Sequence, residues 1–425
     1  MESIYYPQVG ETLWKGILPC GLQVAVLPRP GFTKKLCYLV TDYGAIHTRF
    51  TMDGAEYAVP AGVAHYLEHK LFEMPQGDVT EAFAALGAVP NAFTSYDMTA
   101  YYFSCTEHFY ENLKLLLEFV TTPYFTRESV AKEQGIIGQE IDMNEDSPDN
   151  KLFELLMGAM YENHPVRTPI LGTRESISRI TPQVLTDCHR AFYRPENMLL
   201  CVVGDTDPEE VARIAEKMLA HIQSPQVTAQ KQWDESMTLS AHSATGFMEV
   251  AMPMFQLGFK CEPLPDGDAG VHQEIIGDLA AEALFGESSA LYLQLYEQGL
   301  IDASFGGGFE TVEGMALLTA SGDSENPVAV RDAILQAAER LVQEGIPEED
   351  LLRMKRSALG RRIRSIDSFE STCFRICAYH FSKFDYFRIP DLYRQVTAED
   401  IRQFVKTVVT PDRMCLAVIN PKEEE

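Results

Sequence analysis

The segment AHYLEHKLFEM, residues 64–74, places two histidines and a glutamate among apolar residues. On an α-helix, residues three and four positions apart share one face, so His65, Glu68 and His69 project together. The leucines and the phenylalanine between and after them predict that the helix packs into a core. Three titratable side chains on one face of a buried helix need a chemical reason.

That reason is predicted to be metal binding. Two imidazoles one helical turn apart can hold one ion, and Zn²⁺ binds histidine nitrogen at about 2.0–2.1 Å. A metal with an open position activates water, and a neighbouring carboxylate can take the proton of that water. His-x-x-Glu-His is also the signature of inverted zinc peptidases. The alternative is a chance run of surface polar residues, but it does not explain the apolar neighbours. We predict that His65 and His69 bind zinc and that Glu68 is the general base.

A third ligand is predicted in the segment EQGIIGQEI, residues 133–141. Glu133 and Glu140 are seven positions apart, so two helical turns place them on nearly the same face. Both could simply face solvent, but glycine and isoleucine surround Glu140, which is not a solvated context. We predict that Glu140 is the third ligand and that Glu133 orients a histidine by hydrogen bonding.

Length and composition are typical of a soluble globular protein. The chain has 425 residues, enough for two or three domains, of which 46% are hydrophobic and 23% charged. The formal net charge of −27 argues against binding to nucleic acid, whose phosphates need clusters of Lys and Arg. The acidic surface either keeps the protein soluble or attracts basic peptide segments.

The sequence shows neither a membrane-spanning segment nor a secretory signal. There is no apolar run of eighteen or more residues, so no membrane span is expected. The N-terminal sequence lacks the basic and apolar regions of a secretory signal. The nine cysteines are scattered and odd in number, which favours a reducing compartment over a disulfide framework. We expect a cytoplasmic protein.

An internal repeat indicates two related domains. TPQVLTDCHRAFYRPENMLLCVVGD (residues 181–205) matches TAEDIRQFVKTVVTPDRMCLAVINP (residues 397–421), and the offset is 216 at both the threonines (397 − 181) and the prolines (411 − 195). Each copy predicts a capped helix followed by a strand. We predict an α+β fold with domains at residues 1–223 and 237–425, joined by a linker at 224–236. In each, helices cover one face of a mostly antiparallel sheet.

Taken together, these segments resemble the pitrilysin/insulinase family of inverted zinc metallopeptidases. The resemblance covers nearly the whole chain and includes GVAHYLEHKLFE, GAVPNAFTSYDMTAYYFSC, KEQGIIGQEI, HPVRTPILGTRESISRIT and FYRPENMLLCVVGD. It is strongest to the short two-domain bacterial type, which is similar to the β subunit of mitochondrial processing peptidase. Some bacterial members of this type are named in connection with modification of elongation factor P.

The resemblance implies roles for individual residues. The ligand positions of the family fall on His65, His69 and Glu140, with one Zn²⁺ per chain, and its general base falls on Glu68. Glu133 falls on an additional acidic residue of the family, seven positions before the last ligand.

The resemblance also implies where a substrate binds. The family's Asn-Ala segment, here Asn91 and Ala92, lies on an edge strand beside the metal. A substrate peptide adds there as an extra strand through main-chain hydrogen bonds. The alternative for Asn91 is a residue in a turn.

The second half of the chain carries no metal triad. Alignment of the Leu-Phe pair at 71–72 with that at 284–285 places Asp278, Ala281 and Glu282 opposite the three residues of the metal helix. In the family this half usually supplies an Arg and a Tyr that bind the substrate carbonyl. Here Tyr296 stands where the Arg is expected, and Asp302 lies near the Tyr position.

This departure suggests a partner. Short family members pair two chains, one with the metal and one with the Arg-Tyr element, so we expect a heterodimer with a metal-less homologue. The alternatives are a homodimer, or a monomer in which Tyr296 or Tyr292 is the donor.

The function that these observations predict is that of a zinc endopeptidase. It would cleave short or unfolded peptides, including propeptides, inside a chamber between its two domains. One alternative is a non-catalytic assembly or peptide-binding subunit that retains the fold. Another is a metal hydrolase that cleaves an amide bond in a small molecule.

Overall fold

The strands form two main sheets and two small ones. The computed structural model describes residues 1–422. In chain order the strands are β1 (Glu2–Tyr6), β2 (Glu11–Ile17), β3 (Gln23–Pro28), β4 (Lys35–Thr41), β5 (Arg49–Met52), β6 (Ala55–Ala58), β7 (Glu73–Met74), β8 (Gly77–Asp78), β9 (Ala88–Thr94), β10 (Thr99–Cys105), β11 (Met198–Gly204), β12 (Val227–Ala229), β13 (Ser243–Met248), β14 (Met254–Cys261), β15 (Gly306–Val312), β16 (Met315–Asp323) and β17 (Met414–Pro421).

Helices connect and cover these strands. In chain order they are α1 (Val63–Leu71), α2 (Val79–Ala85), α3 (Phe109–Thr121), α4 (Arg127–Glu145), α5 (Pro148–Met160), α6 (Arg174–Ile177), α7 (Pro182–Phe192), α8 (Pro208–Leu219), α9 (Asp268–Phe285), α10 (Ala290–Glu297), α11 (Pro327–Glu344), α12 (Glu348–Ser365), α13 (Phe369–Phe381), α14 (Ile389–Gln395) and α15 (Ala398–Val408). Short 3₁₀ helices lie at Pro165–Arg167, Pro195–Asn197, Tyr386–Arg388 and Pro411–Arg413.

The chain divides into two compact units. The first contains Met1–Ile141, Pro169–Gln230 and Arg362–Arg388. The second contains Asp142–Thr168, Lys231–Arg361 and the segment that begins at Ile389. The main change of unit, after Gln230, lies inside the predicted linker. The units nevertheless differ from the predicted sequence domains, because each also takes in a segment from the other half of the sequence.

The first unit is organised by a seven-stranded sheet in the order β1-β2-β3-β11-β4-β10-β9. Only β11 and β3 pair in parallel; the other neighbours are antiparallel. The register places Tyr101 of β10 opposite Leu39 of β4 and opposite Ala92 of β9. Strand β9 is therefore the last strand on one side of this sheet.

The two faces of this sheet carry different helices. Leu39, Tyr101 and Leu200 belong to the large core that also contains the apolar residues of α1, α3 and α7. On the opposite face, the sulfur atoms of Cys201 and Cys373 lie 3.8 Å apart, so α13 packs there. The prediction of helices on one face is thus incomplete for this unit, because α13 arrives from the far end of the sequence.

The second unit repeats the arrangement. Its five-stranded sheet has the order β13-β17-β14-β16-β15, with β17 parallel to β13 and antiparallel to β14. This matches β3-β11-β4-β10-β9 strand for strand. Both repeat helices begin with a threonine cap, Thr181 on α7 and Thr397 on α15. The predicted duplication of an α+β unit is confirmed.

Two sequence-based expectations concern the chain as a whole. All nine cysteines are free thiols, and Cys20 is the only one of them that is not buried. Among residues 1–422, no helix has both the length and the apolar character needed to cross a membrane.

Candidate metal centre

Helix α1 begins at a position that requires glycine. Gly62 precedes it with a φ of 91°, a left-handed conformation that other residues adopt at a cost. A Cβ atom on Gly62 would lie 2.5 Å from the carbonyl oxygen of Leu171. Helix α6, which follows the loop that contains Leu171, is held to the same junction by a hydrogen bond from Ser176 Oγ to the carbonyl of Ala61, at 2.9 Å. The direction in which α1 leaves this junction therefore depends on the absence of a side chain.

Gly62→Ala should destabilise the fold and displace α1. The left-handed conformation alone costs a non-glycine residue about 1–3 kcal/mol, and the contact with Leu171 adds to this. Urea unfolding and zinc content should both show the effect. Gly54→Ala is the matched control, because Gly54 has a φ of 82° but a Cβ added there would meet no atom within 4 Å. An equal loss of stability in the two variants would contradict the role of the Leu171 contact.

Helices α1 and α4 bring the three predicted ligands together. His65 Nε2 lies 3.6 Å from Glu140 Oε1, and His69 Nε2 lies 3.6 Å from Glu140 Oε2. One ligand atom from each residue lies within 4.8 Å of those of the other two. Two imidazole nitrogens and one carboxylate oxygen that face a common point form a donor set that Zn²⁺ accepts.

The electrostatics of His65 suit a metal ligand. Burial, followed by the nearby His69, lowers the pKa of His65 to about 3, so its imidazole is neutral at pH 7. A neutral imidazole has a nitrogen lone pair free for a metal. Its other nitrogen, Nδ1, is buried and has no hydrogen-bond partner among the described residues. The protonation state of this residue thus fits zinc.

Glu133 lies where it can orient His69. Its Oε1 is 3.0 Å from His69 Nδ1, and its side chain is only 15% exposed. Burial alone would raise the pKa of Glu133, but the hydrogen bond with His69 and nearby positive charges outweigh it, so the pKa is lowered. A charged Glu133 keeps the proton of His69 on Nδ1 and leaves Nε2 directed toward Glu140.

Glu68 lies on α1 and is hydrogen-bonded to strand β9 of the sheet. Its Oε2 accepts a hydrogen bond from the Thr94 hydroxyl at 2.5 Å. Burial raises the pKa of Glu68, and the charge of Glu140 adds to this, while the Thr94 hydrogen bond acts in the opposite direction. Thr94 was not identified from the sequence. Its one signal was its place on β9 two residues beyond Ala92, so that both side chains point to the same face.

The structure places Asn91 and Ala92 in strand β9, at the edge of the seven-stranded sheet. The turn alternative for Asn91 is therefore wrong. The side chain of Asn91 is exposed, and its Oδ1 accepts a hydrogen bond from the backbone N–H of Ala92 at 2.8 Å. Strand β10 pairs with one side of β9, and no described strand pairs with the other side, so a further strand can add at this edge.

In the second unit, the helix that corresponds to α1 has no such group of donors among the described residues. Helix α9 carries Asp278, Ala281 and Glu282, and the Glu282 carboxylate lies 3.5 Å from the Arg361 guanidinium. Tyr296 is 55% exposed and its ring is stacked on that of Tyr292, with centroids 5.9 Å apart.

Two sequence models of one peptidase family match the chain. The model described as Insulinase (Peptidase family M16) matches residues 54–174, the range that contains the three donors and Glu68. The model described as Peptidase M16 inactive domain matches residues 179–358.

Individual proteins extend the similarity to full length. The uncharacterized zinc protease YmfH of Bacillus subtilis (strain 168) is 37% identical, over 99% of this chain and 100% of that protein. The crystal structure of an M16-like peptidase from Alicyclobacillus acidocaldarius superposes with a TM-score of 0.93 at 31% identity, covering 99% of this chain and 100% of that one. Pitrilysin shares the fold at a TM-score of 0.78 and 16% identity, with 100% of this chain matching 47% of pitrilysin.

Proposed function

The chain belongs to the M16, or insulinase, family of peptidases, and on that premise we propose that it is a zinc-dependent endopeptidase. Its proposed substrates are short or unfolded peptides, including propeptides. The observation that carries the proposal is the convergence of His65 Nε2, His69 Nε2 and the Glu140 carboxylate on the face of the helix that also carries the half-buried Glu68.

Each residue of the site has a defined part in the proposed reaction. His65, His69 and Glu140 would hold the ion, and Glu133 keeps His69 in position. Zinc, when bound, supplies a Lewis acid that polarises a peptide carbonyl and acidifies water. Glu68 accepts a proton from the attacking water and delivers it to the leaving amine.

Strand β9 would bind the substrate backbone. A peptide that adds to its free edge must be extended, which favours short or unfolded chains over folded proteins. Asn91 and Ala92 lie on this edge, and Thr94 connects the same strand to Glu68. The net charge of −27 would also favour basic peptides. The predicted enclosure of the substrate in a chamber stays a prediction.

A metal-less partner is part of the proposal. Negative charge develops on the carbonyl oxygen during hydrolysis, and loss of one donor aimed at it typically costs about 10²–10³-fold in rate. Tyr296 and Asp302 stand where family members resembling this chain have Arg and Tyr. A homologous subunit could supply these donors in a heterodimer. The alternatives remain a homodimer, or a monomer in which Tyr296 or Tyr292 is the donor.

Cleavage of a peptide library should depend on both zinc and the partner. We expect the zinc-loaded chain alone to be about 10²–10³-fold slower than its mixture with a metal-less homologue from the same genome. A chelator should abolish cleavage, and added zinc should restore it. Replacing an Arg in the partner's second domain should remove the gain.

The other outcomes are equally informative. Full activity from the isolated chain would contradict the heterodimer and leave the peptidase proposal intact. Peptide binding without cleavage, under every combination of zinc and partner, would contradict the peptidase and favour the non-catalytic binding subunit.

A further inference from the structure

We propose that Asn91 caps the free edge of the sheet, and that an incoming peptide must displace this cap in order to bind. The side-chain carbonyl of Asn91 accepts a hydrogen bond from the Ala92 N–H. Pro90 has no N–H, and a proline within a strand turns its nitrogen to the unpaired side, so the Ala92 N–H, two residues further on, also faces the unpaired side, where an added strand would use it. This inference rests on the proposed function, because the strand that displaces the cap is the substrate.

The geometry of β9 carries the proposal. Strand β10 pairs with β9 on one side, and no described strand pairs with it on the other. The Ala92 N–H donates to Asn91 Oδ1 at 2.8 Å, within the same strand. The Asn91 side chain is exposed, so it is free to rotate away. The cap therefore consists of one hydrogen bond between neighbouring residues.

An exposed edge needs such a cap for a physical reason. Unpaired N–H and C=O groups on an edge strand pair readily with other chains, and proteins limit this with side chains at the edge. Asn and Asp side chains commonly bond to nearby backbone groups and compete with sheet pairing. Since main-chain hydrogen bonds provide affinity when a strand is added, blocking one donor weakens the addition of any peptide.

The cap lies on the same strand as Thr94, the residue that contacts the proposed base, Glu68. Ala92 and Thr94 are two residues apart and point to the same face, where Thr94 bonds to Glu68. A peptide that pairs at Ala92 is thereby aligned with the part of β9 that contacts the base. Exchange of the Asn91 cap for a peptide carbonyl would set the register of the substrate.

A cap and a direct substrate contact predict opposite effects of removing the Asn91 side chain on peptide affinity. If Asn91 bound the substrate directly, its removal would weaken peptide binding. If it is a cap, Asn91→Ala should tighten binding by about 2- to 10-fold, which corresponds to the net value of one hydrogen bond.

Binding is best measured without turnover. We suggest the zinc-loaded full chain with Glu68→Gln, a fluorescein-labelled unfolded peptide, and fluorescence anisotropy. Asn91→Asp keeps the acceptor and should not tighten binding. Val89→Ala is the matched control, because Val89 lies on the same strand, is 69% exposed and forms no cap. Weaker or unchanged binding in Asn91→Ala would overturn the proposal.

A second measurement does not require a peptide. Amide hydrogen exchange at Ala92 should become faster in Asn91→Ala and stay unchanged in Val89→Ala. Unchanged exchange at Ala92 in Asn91→Ala would show that the cap does not exist in solution. If the wild type neither bound nor cleaved any peptide, the proposed function would fail, and exchange at Ala92 would still decide whether Asn91 is a cap.

Discussion

Glu68→Gln should keep zinc and lose hydrolysis, with a fall in rate of about 10²–10⁴-fold, the usual contribution of a positioned general base. The amide of glutamine fills the same space and can still accept the hydrogen bond from Thr94. It cannot take a proton from water at neutral pH. Burial already raises the pKa of Glu68, which makes this carboxylate a stronger base than an exposed one.

The measurement is zinc content together with single-turnover cleavage of one fluorogenic peptide. Glu81→Gln is a suitable control, since Glu81 is exposed on α2 and takes no part in the site. Thr94→Val removes only the donor to Glu68 and should cost much less, about 2- to 10-fold. Cleavage by Glu68→Gln at nearly the wild-type rate would show that another group is the base.

Local spacing explains why most of the site could be predicted. His65, Glu68 and His69 lie within one helical turn, so helix geometry alone fixes which way they face. Glu133 and Glu140 follow the same rule on α4. Thr94 could not be found in this way, because its contact with Glu68 joins a strand to a helix 26 positions away in sequence. Contacts of that kind depend on tertiary packing, which periodicity does not encode.

The fold shows the same division between local and tertiary information. The repeat at Thr181 and Thr397 predicted the duplicated topology, because matching caps and strands imply matching units. The exchange of segments was not predictable. Helices α5 and α13 each have a buried face, and this pattern shows that a helix packs against something but not against which sheet.

Glu140→Ala should lose zinc more severely than any change at Glu133. Removal of Glu140 leaves two imidazoles, whereas catalytic zinc sites normally have three protein ligands. Glu133→Ala should weaken zinc by only about 10–100-fold, because it acts through the orientation of His69. Glu128→Ala provides a control on the same helix, since Glu128 is exposed in its first turn. Zinc content after equilibration with a competing chelator would test all three variants. If zinc content in Glu140→Ala equalled that of the wild type, the third ligand would have to be another residue, and Glu133 would be the first candidate.

The pH dependence of zinc binding should separate the two histidines. Burial acts to lower the pKa of His69, but the hydrogen bond with Glu133 and the charges of Glu68 and Glu140 outweigh it and raise the pKa. Zinc must displace a proton from Nε2 of His69 below this raised pKa, so affinity should fall as the pH is lowered through it. His65, with a pKa of about 3, stays neutral over that range. Glu133→Ala should shift the fall in affinity to lower pH.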